Sequence, residues 1–190
     1  RPSIELNLDK VGAELLPGSE KNQVVINKVL DAGRLMLSAD SVGAAQIMLD
    51  KAVAYSLERK QFGRVIGSFQ AVKHMCAEMA AELEPCHSMI WHAAHCYDHE
   101  PSQARLMACH TKAHVSEVGK QISKTSTEVH GGMGFTDELG LHYWFKRIGL
   151  NRQLLGSPEL VREEAARIQN FDQSPAEGQG NKEVGNPLLV

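Results

Sequence analysis

The strongest constraint on the fold is a helical periodicity of apolar residues that begins at Asn22 and continues to Arg59. Apolar side chains recur three or four positions apart through this stretch, which is typical of an amphipathic helix. At 1.5 Å per residue, such a helix is roughly 55 Å long. It needs partners of comparable length to bury its apolar side, so the sequence favours a bundle of long helices.

The rest of the chain supplies such partners. Similar periodicity predicts four further helices, over residues 69–98, 103–130, 138–155 and 159–169. Pro85 is expected to kink the second helix of the chain, and Ser68 and Ser157 are candidate N-caps. The prediction is an all-α fold, an antiparallel up-and-down four-helix bundle with short connections.

The two ends of the chain differ from this pattern. Residues 1–21 alternate around Ile4, Leu6 and Leu8, which predicts a short strand that needs a partner sheet, and the chain does not begin with Met. Residues 172–190 are rich in Gly, Pro, Asn and Gln, which indicates a disordered tail. We therefore expect a piece of a longer protein, with its bundle in residues 22–171.

Composition excludes several classes of function. Lys and Arg number 20 against 23 Asp and Glu, a balance that argues against a general nucleic-acid binder or a membrane-surface binder. No apolar run approaches the ~18 residues of a membrane span. The four cysteines are ten or more residues apart, which favours reduced thiols in a reducing compartment over a disulfide framework.

Histidines at helical spacing raise the question of a metal site. His92, His95 and His99 fall on one predicted helix, and His110 and His114 fall on the next. Spacings of three and four residues can place metal ligands on one helix face, so a zinc site is conceivable if the two helices pack together. There is no His-Glu-x-x-His motif, and ordinary exposed or half-buried histidines are favoured. We expect no metal.

Two separated motifs carry a resemblance to a known family. Residues 57–70 read LERKQFGRVIGSFQ, and residues 128–138 read EVHGGMGFTDE. Together they resemble the R-x-Q-F-G-x-x-I-G-x-F-Q and Q-x-x-G-G-x-G-[FY]-x-x-E signatures of the acyl-CoA dehydrogenase family. The resemblance covers roughly residues 1–170. It implies the last strand of that family's middle β-domain or a linker in residues 1–21, followed by its C-terminal helical domain.

The resemblance implies FAD as the cofactor. Arg59 offers a planar fork of donors that suits phosphate oxygens, and a glycine pair allows close approach to polar oxygens. Position 128 is Glu where the family usually has Gln. The residues implied in cofactor binding are Arg59, Gln61, Phe62, Gln70, Glu128, Gly131, Gly132, Ser157 and Glu159.

A third segment implies contacts with the substrate. Residues 30–34 read LDAGR and resemble the family segment that lies against the acyl-CoA thioester. By this resemblance, Asp31 would accept a hydrogen bond from the pantetheine arm, and Arg34 would lie toward the adenosine end. From the residues alone, the alternative is a solvated ion pair three positions apart on a helix.

The family reaction needs a carboxylate base, and neither usual position holds one. Most members carry a Glu just before a G-[ST] turn, a position that falls on Leu155, and a minority carry it at the position of Gly33. Neither residue accepts a proton, so no catalytic residue is assigned. Three explanations stay open: a partner subunit supplies the base, another carboxylate such as Asp31, Glu159 or one in an upstream segment serves, or the matched position is displaced by a few residues.

The resemblance thus implies an FAD oxidoreductase of fatty acid metabolism that acts on CH–CH groups by α,β-dehydrogenation of an acyl-CoA. Electrons would pass to an electron-transfer flavoprotein, and the protein would be a homo- or hetero-oligomer, a dimer or tetramer. One alternative is a non-catalytic subunit of a mixed oligomer, and another is a helical interaction module unrelated to flavin. The expected location is the cytoplasm, or the mitochondrial matrix in a eukaryote.

Overall fold

The computed structural model describes residues 4–14, 17–18 and 22–171, without the side chain of Asn22. These residues form an all-α domain with one small hairpin, which confirms the predicted fold class. The helices are α1 (Asn22–Glu58), α2 (Gln70–His99), α3 (Pro101–His130), α4 (Leu141–Gln153) and α5 (Pro158–Ile168). The hairpin strands are β1 (Lys60–Gln61) and β2 (Arg64–Val65), and 3-10 turns cover Ile66–Ser68 and Gly131–Phe135.

Helix α3 lies at the centre of the domain and packs against all four other helices. Its start contacts the start of α1 through Arg105 and Asp31, and its end contacts the end of α1 through His130 and Tyr55. The two helices therefore run in the same direction, with α2 antiparallel to both. Fully buried apolar side chains fill the space between the helices, among them Met48, Leu83, Ile122, Leu141 and Ile148.

The helix bounds lie within three residues of the predicted bounds, but some details differ. The N-cap of α2 is Phe69 and makes no side-chain cap bond, while Ser68 donates to the carbonyl of Val65 at 2.7 Å. The prediction of Ser68 as a cap was therefore wrong. Helix α2 continues through Pro85. The Ser157 cap is confirmed, since its side chain accepts from the N–H of Leu160 at the start of α5.

Outside the helices, the described N-terminal residues make no strand. Residues 4–14 have no regular structure, and Ile4, Leu6 and Leu8 are exposed. A single strand has no partner for its backbone hydrogen bonds, so the strand predicted within residues 1–21 does not form in this segment. The predicted tail, 172–190, lies outside the described residues. Among the described helices, none has both the length and the apolar character to cross a membrane.

A buried lysine holds the end of α4. Lys112 is 1% exposed, and its Nζ donates to the carbonyls of Asn151 at 2.5 Å and Arg152 at 3.1 Å. Carbonyls in the last turn of a helix lack partners within the helix, and a cation there interacts favourably with the helix dipole. Burial, together with the charges of Arg34 and Arg152, lowers the pKa of Lys112 to about 8. Lys112 therefore links the centre of the bundle to the loop after α4.

We expect Lys112→Met to lower the free energy of unfolding at pH 7 by about 1–3 kcal/mol, because two buried carbonyls lose their donor. The matched control is Lys120→Met, which removes an exposed lysine from the same helix and should change stability by less than about 0.5 kcal/mol. Denaturant titration of the three proteins measures the difference.

The difference in the free energy of unfolding between wild type and Lys112→Met should depend on pH. Between pH 8 and 10.5, Lys112 is protonated in the unfolded chain and deprotonated in the folded one, so its contribution to the free energy of unfolding rises with pH. The advantage of wild type over Lys112→Met should therefore grow across this interval. A difference that stays constant with pH would show that Lys112 keeps its charge in the folded protein.

Candidate functional site

The first motif forms a tight hairpin at the end of α1. Strands β1 and β2 pair Lys60 with Val65 and Gln61 with Arg64. Phe62 and Gly63 join them with φ angles of +53° and +79°. Two positive φ values are typical of a type I′ turn, whose twist matches that of the strands. The hairpin holds the backbone of Arg59, which accepts a hydrogen bond from the N–H of Ile66 at 2.8 Å.

The second motif forms the glycine turn after α3. Gly131 has φ +59° and ψ −139°, and its N–H donates to the carbonyl of Glu128. Gly134 packs so closely that an added Cβ would lie 2.6 Å from the carbonyl oxygen of Thr127. An added Cβ on Gly132 would meet no atom within 4 Å. The turn thus leaves open space beside Gly132, while the N–H of Gly131 is used within the helix cap.

The two motifs meet at one end of the bundle. A cavity of about 420 Å³ is lined by both, through Tyr55, Arg59, Gln61, Ile66, Val129, His130, Gly131, Gly132 and Met133. The lining contains a cation but no carboxylate. Among the described residues, Arg59 takes part in none of the ion pairs. An unpaired guanidinium beside an open glycine suits an anionic group such as a diphosphate.

Five of the nine residues implied in cofactor binding do not line this cavity: Phe62, Gln70, Glu128, Ser157 and Glu159. Ser157 and Glu159 lie at the start of α5. Phe62 is 92% exposed, and its ring is nearly perpendicular to that of Phe69, with the centroids 6.1 Å apart. The side chain of Gln70 hydrogen-bonds His74 at 3.0 Å, and Glu128 points to solvent on α3. The sequence did not predict Tyr55 and His130 as lining residues, although His130 directly precedes Gly131 and Gly132, which were implied in cofactor binding.

A buried network of charges lies at the opposite end of α1. Asp31 and Arg34 are 4% and 6% exposed, so the alternative of a solvated ion pair was wrong. Arg34 binds Glu164 of α5 at 2.8 Å and Asp31 at 3.4 Å, and Arg105 of α3 pairs with both carboxylates. Burial raises the pKa of Asp31 against the two arginines. Burial also acts to raise the pKa of Glu164, but its hydrogen bond with Arg34 and the nearby charges outweigh it and lower that pKa.

The two positions that could carry a base converge beside this network. An added Cβ on Gly33 would overlap Cδ1 of Leu155, so both positions open onto the same small volume. Leu155 has φ +57°, and its carbonyl accepts a hydrogen bond from Nε of Arg34 at 3.0 Å. The volume therefore holds a methyl group and no carboxylate.

The carboxylates considered as substitutes are engaged by arginines. Glu159 binds Arg152 at 2.8 Å, and hydrogen bonds from Ser157 and its own backbone, aided by Arg152, lower its pKa to about 2. Such a carboxylate is a weak base. Asp31 pairs with Arg34 and Arg105. Neither the carboxylate of Asp31 nor that of Glu159 is therefore free to act as a base beside Leu155.

Most of the sequence matches a known family. Residues 23–169 match the family described as "Acyl-CoA dehydrogenase, C-terminal domain". The chain belongs to the acyl-CoA dehydrogenase family.

Individual relatives agree with this assignment. The chain is 40% identical over 111 residues to caffeyl-CoA reductase-Etf complex subunit CarC of Acetobacterium woodii, covering 58% of this chain and 29% of the relative. It is 30% identical over 169 residues to acyl-CoA dehydrogenase IpdE2 of Mycolicibacterium smegmatis, covering 89% and 51%. A glutaryl-coenzyme A dehydrogenase–glutaryl-CoA complex superposes with a TM-score of 0.75 at 26% identity, covering 80% of this chain and 39% of that one. The chain spans about half or less of the length of these relatives.

The contact between Gly33 and Leu155 can be tested by stability. Alanine at Gly43, which faces open space on the same helix, should raise the free energy of unfolding by about 0.5–1 kcal/mol through helix propensity. Gly33→Ala should bring no such gain in wild type, because its methyl group meets Leu155. In a Leu155→Ala background, Gly33→Ala should gain as much as Gly43→Ala does. Equal gains at Gly33 in both backgrounds would show that the two residues do not share a volume.

Proposed function

We propose that this chain is the C-terminal domain of an FAD-dependent oxidoreductase that acts on acyl-CoA thioesters. The observation that carries the proposal is the convergence of Arg59 and the Gly131–Gly132 turn on one cavity that has a cation and no carboxylate. Arg59 would bind the diphosphate of FAD, Gln61 would bind a polar edge of the cofactor, and Gly132 would let it approach. Because CarC is named as a subunit of an Etf complex, an electron-transfer flavoprotein is the proposed electron acceptor.

The positions of the two sites support an oligomer. Asp31 and the end of α1 are 27 residues apart on one helix, which is about 40 Å. A single dinucleotide is too short to reach from the cavity at Arg59 to the volume at Leu155 of the same chain. We therefore propose that the cavity binds the diphosphate and adenosine half of a cofactor whose flavin lies in a neighbouring subunit.

The missing base determines the role of this chain within that oligomer. Bound FAD would accept the β-hydrogen of the acyl chain as hydride, and the α-proton needs a carboxylate. Leu155 and Gly33 supply none, and the nearby carboxylates are held by arginines. We propose a mixed oligomer in which another subunit brings the base and this chain completes the cofactor site. The alternative is a chain that dehydrogenates acyl-CoA with its own base.

We expect Arg59→Met to weaken FAD binding by the oligomer about 10- to 100-fold, since hydrogen bonds to charged groups contribute about 1.5–3 kcal/mol. The control, Lys73→Met, removes an exposed cation on α2 outside the cavity and should leave the affinity unchanged. Flavin fluorescence titration of the flavin-stripped oligomer gives the dissociation constants. Wild-type affinity in Arg59→Met would contradict the assignment of the cavity.

A second experiment separates the partner subunit from the self-sufficient enzyme. When the flavin-loaded protein is the only subunit present, anaerobic mixing with short-, medium- and long-chain acyl-CoAs should leave the flavin oxidised. Leu155→Glu should accelerate bleaching by at least about 100-fold with one of them, in line with the contribution of a general base, whereas Leu155→Gln should not. Rapid bleaching by wild type alone would show that this chain has its own base.

A further inference from the structure

His130 is the residue of the cavity whose chemistry the sequence motifs leave unexplained. It ends α3, is 4% exposed, and lines the same cavity as Arg59 and Gly132. Its ring lies against the ring of Tyr55, with centroids 4.6 Å apart and an angle of 32° between the planes. The imidazole is therefore held between two helices at the wall of the cavity.

The hydrogen bonds of the ring determine which nitrogen carries the proton. Nδ1 lies 2.7 Å from the backbone carbonyl oxygen of Ser126, one turn earlier in α3. A carbonyl only accepts, so Nδ1 must carry the hydrogen and donate it. Ser126 is itself fixed, because its Oγ donates to the carbonyl of Met48 in α1 at 2.7 Å. In a neutral imidazole, Nε2 is then an acceptor with no hydrogen.

His130 is one of three lining side chains that can accept a hydrogen bond, with Gln61 and Tyr55, whereas Arg59 only donates. Of the three, His130 is the one whose acceptor atom is set by a hydrogen bond on the other side of the ring. Because Nδ1 points back into α3, the opposite edge of the ring, with Nε2, is the edge left for the cavity. It would meet an N–H or O–H donor on the bound molecule.

We propose that His130 is a cofactor-positioning residue that accepts a hydrogen bond through Nε2 from a donor on the adenosine half of the dinucleotide. This inference rests on the proposed function of the cavity. Two groups of adenosine have the required chemistry, the exocyclic amine of adenine and the hydroxyls of ribose. His130 adds a directional contact to the charge contact of Arg59, and it fixes the orientation of the nucleoside as well as its position.

Two substitutions of His130 separate this role from its role in the helix cap. In His130→Asn, the side-chain amide can still donate to the carbonyl of Ser126, but it has no acceptor at the position of Nε2. In His130→Gln, the amide oxygen can reach that position. We expect His130→Asn to bind ADP and FAD about three- to tenfold more weakly than wild type, in line with one neutral hydrogen bond. His130→Gln should recover most of the affinity.

The probes are ADP, IDP and 2′-deoxy-ADP, titrated by calorimetry into the flavin-stripped oligomer, with melting temperatures to follow the cap. If adenine's amine is the donor, IDP binds wild type as weakly as ADP binds His130→Asn. If the ribose 2′-hydroxyl is the donor, 2′-deoxy-ADP binds wild type as weakly as ADP binds His130→Asn. Equal affinity of wild type and His130→Asn for ADP and FAD, or loss of affinity in both variants in step with their melting temperatures, would overturn the inference.

Arg59→Met distinguishes this failure from failure of the proposed function. If Arg59→Met weakens binding while His130→Asn does not, the cavity binds the nucleotide and only the role of His130 is wrong. If wild type binds neither ADP nor FAD, both the proposed function and this inference are wrong.

Discussion

The site depends on the parallel alignment of α1 and α3. Because the two helices run in the same direction, residues 75 and 78 positions apart in sequence meet near the ends of both helices. The hydroxyl of Ser126 donates a hydrogen bond to the carbonyl of Met48 in α1. Nearer the C-terminal ends of the two helices, the rings of Tyr55 and His130 lie against each other. These contacts fix the ends of the helices, so the hairpin after α1 and the glycine turn after α3 form the two walls of one cavity.

At the opposite end of the same helices, ion pairs hold the structure. Two arginines and two carboxylates form a buried network, whose desolvation cost is offset because each charge has a partner of opposite sign. The network also holds a loop, since Arg34 donates to the carbonyl of Leu155. Lys112 binds the carbonyls of Asn151 and Arg152, just before that loop. The loop is therefore held at two points, and Leu155 stands where a base would act.

Sequence reasoning recovered what local patterns determine and missed what distant packing determines. Periodicity located the helices to within a few residues, and the hairpin and glycine turn stood out by their composition. Asp31 and Arg34 could be paired by their spacing on one helix, but Arg105 and Glu164 could not be added, because they reach the pair from two other helices. No local pattern marks such contacts.

The motifs indicated where the sites lie, but they did not indicate which side chains line them. The motifs named Gly33 and Leu155 as two separate places for a base, and only the packing of α1 against the loop after α4 brings them onto one volume. In contrast, Phe62 and Gln70 belong to a motif that helps to form the cavity, yet neither side chain lines it. A motif thus indicates where a site lies more reliably than which of its side chains contact the ligand.

The most direct test of this account is an experimental structure of the flavin-loaded oligomer. The account predicts that the diphosphate of FAD lies in the cavity between Arg59 and Gly132, with the isoalloxazine ring in a neighbouring subunit. A structure in which another segment of polypeptide fills that cavity, and the diphosphate binds elsewhere, would contradict it.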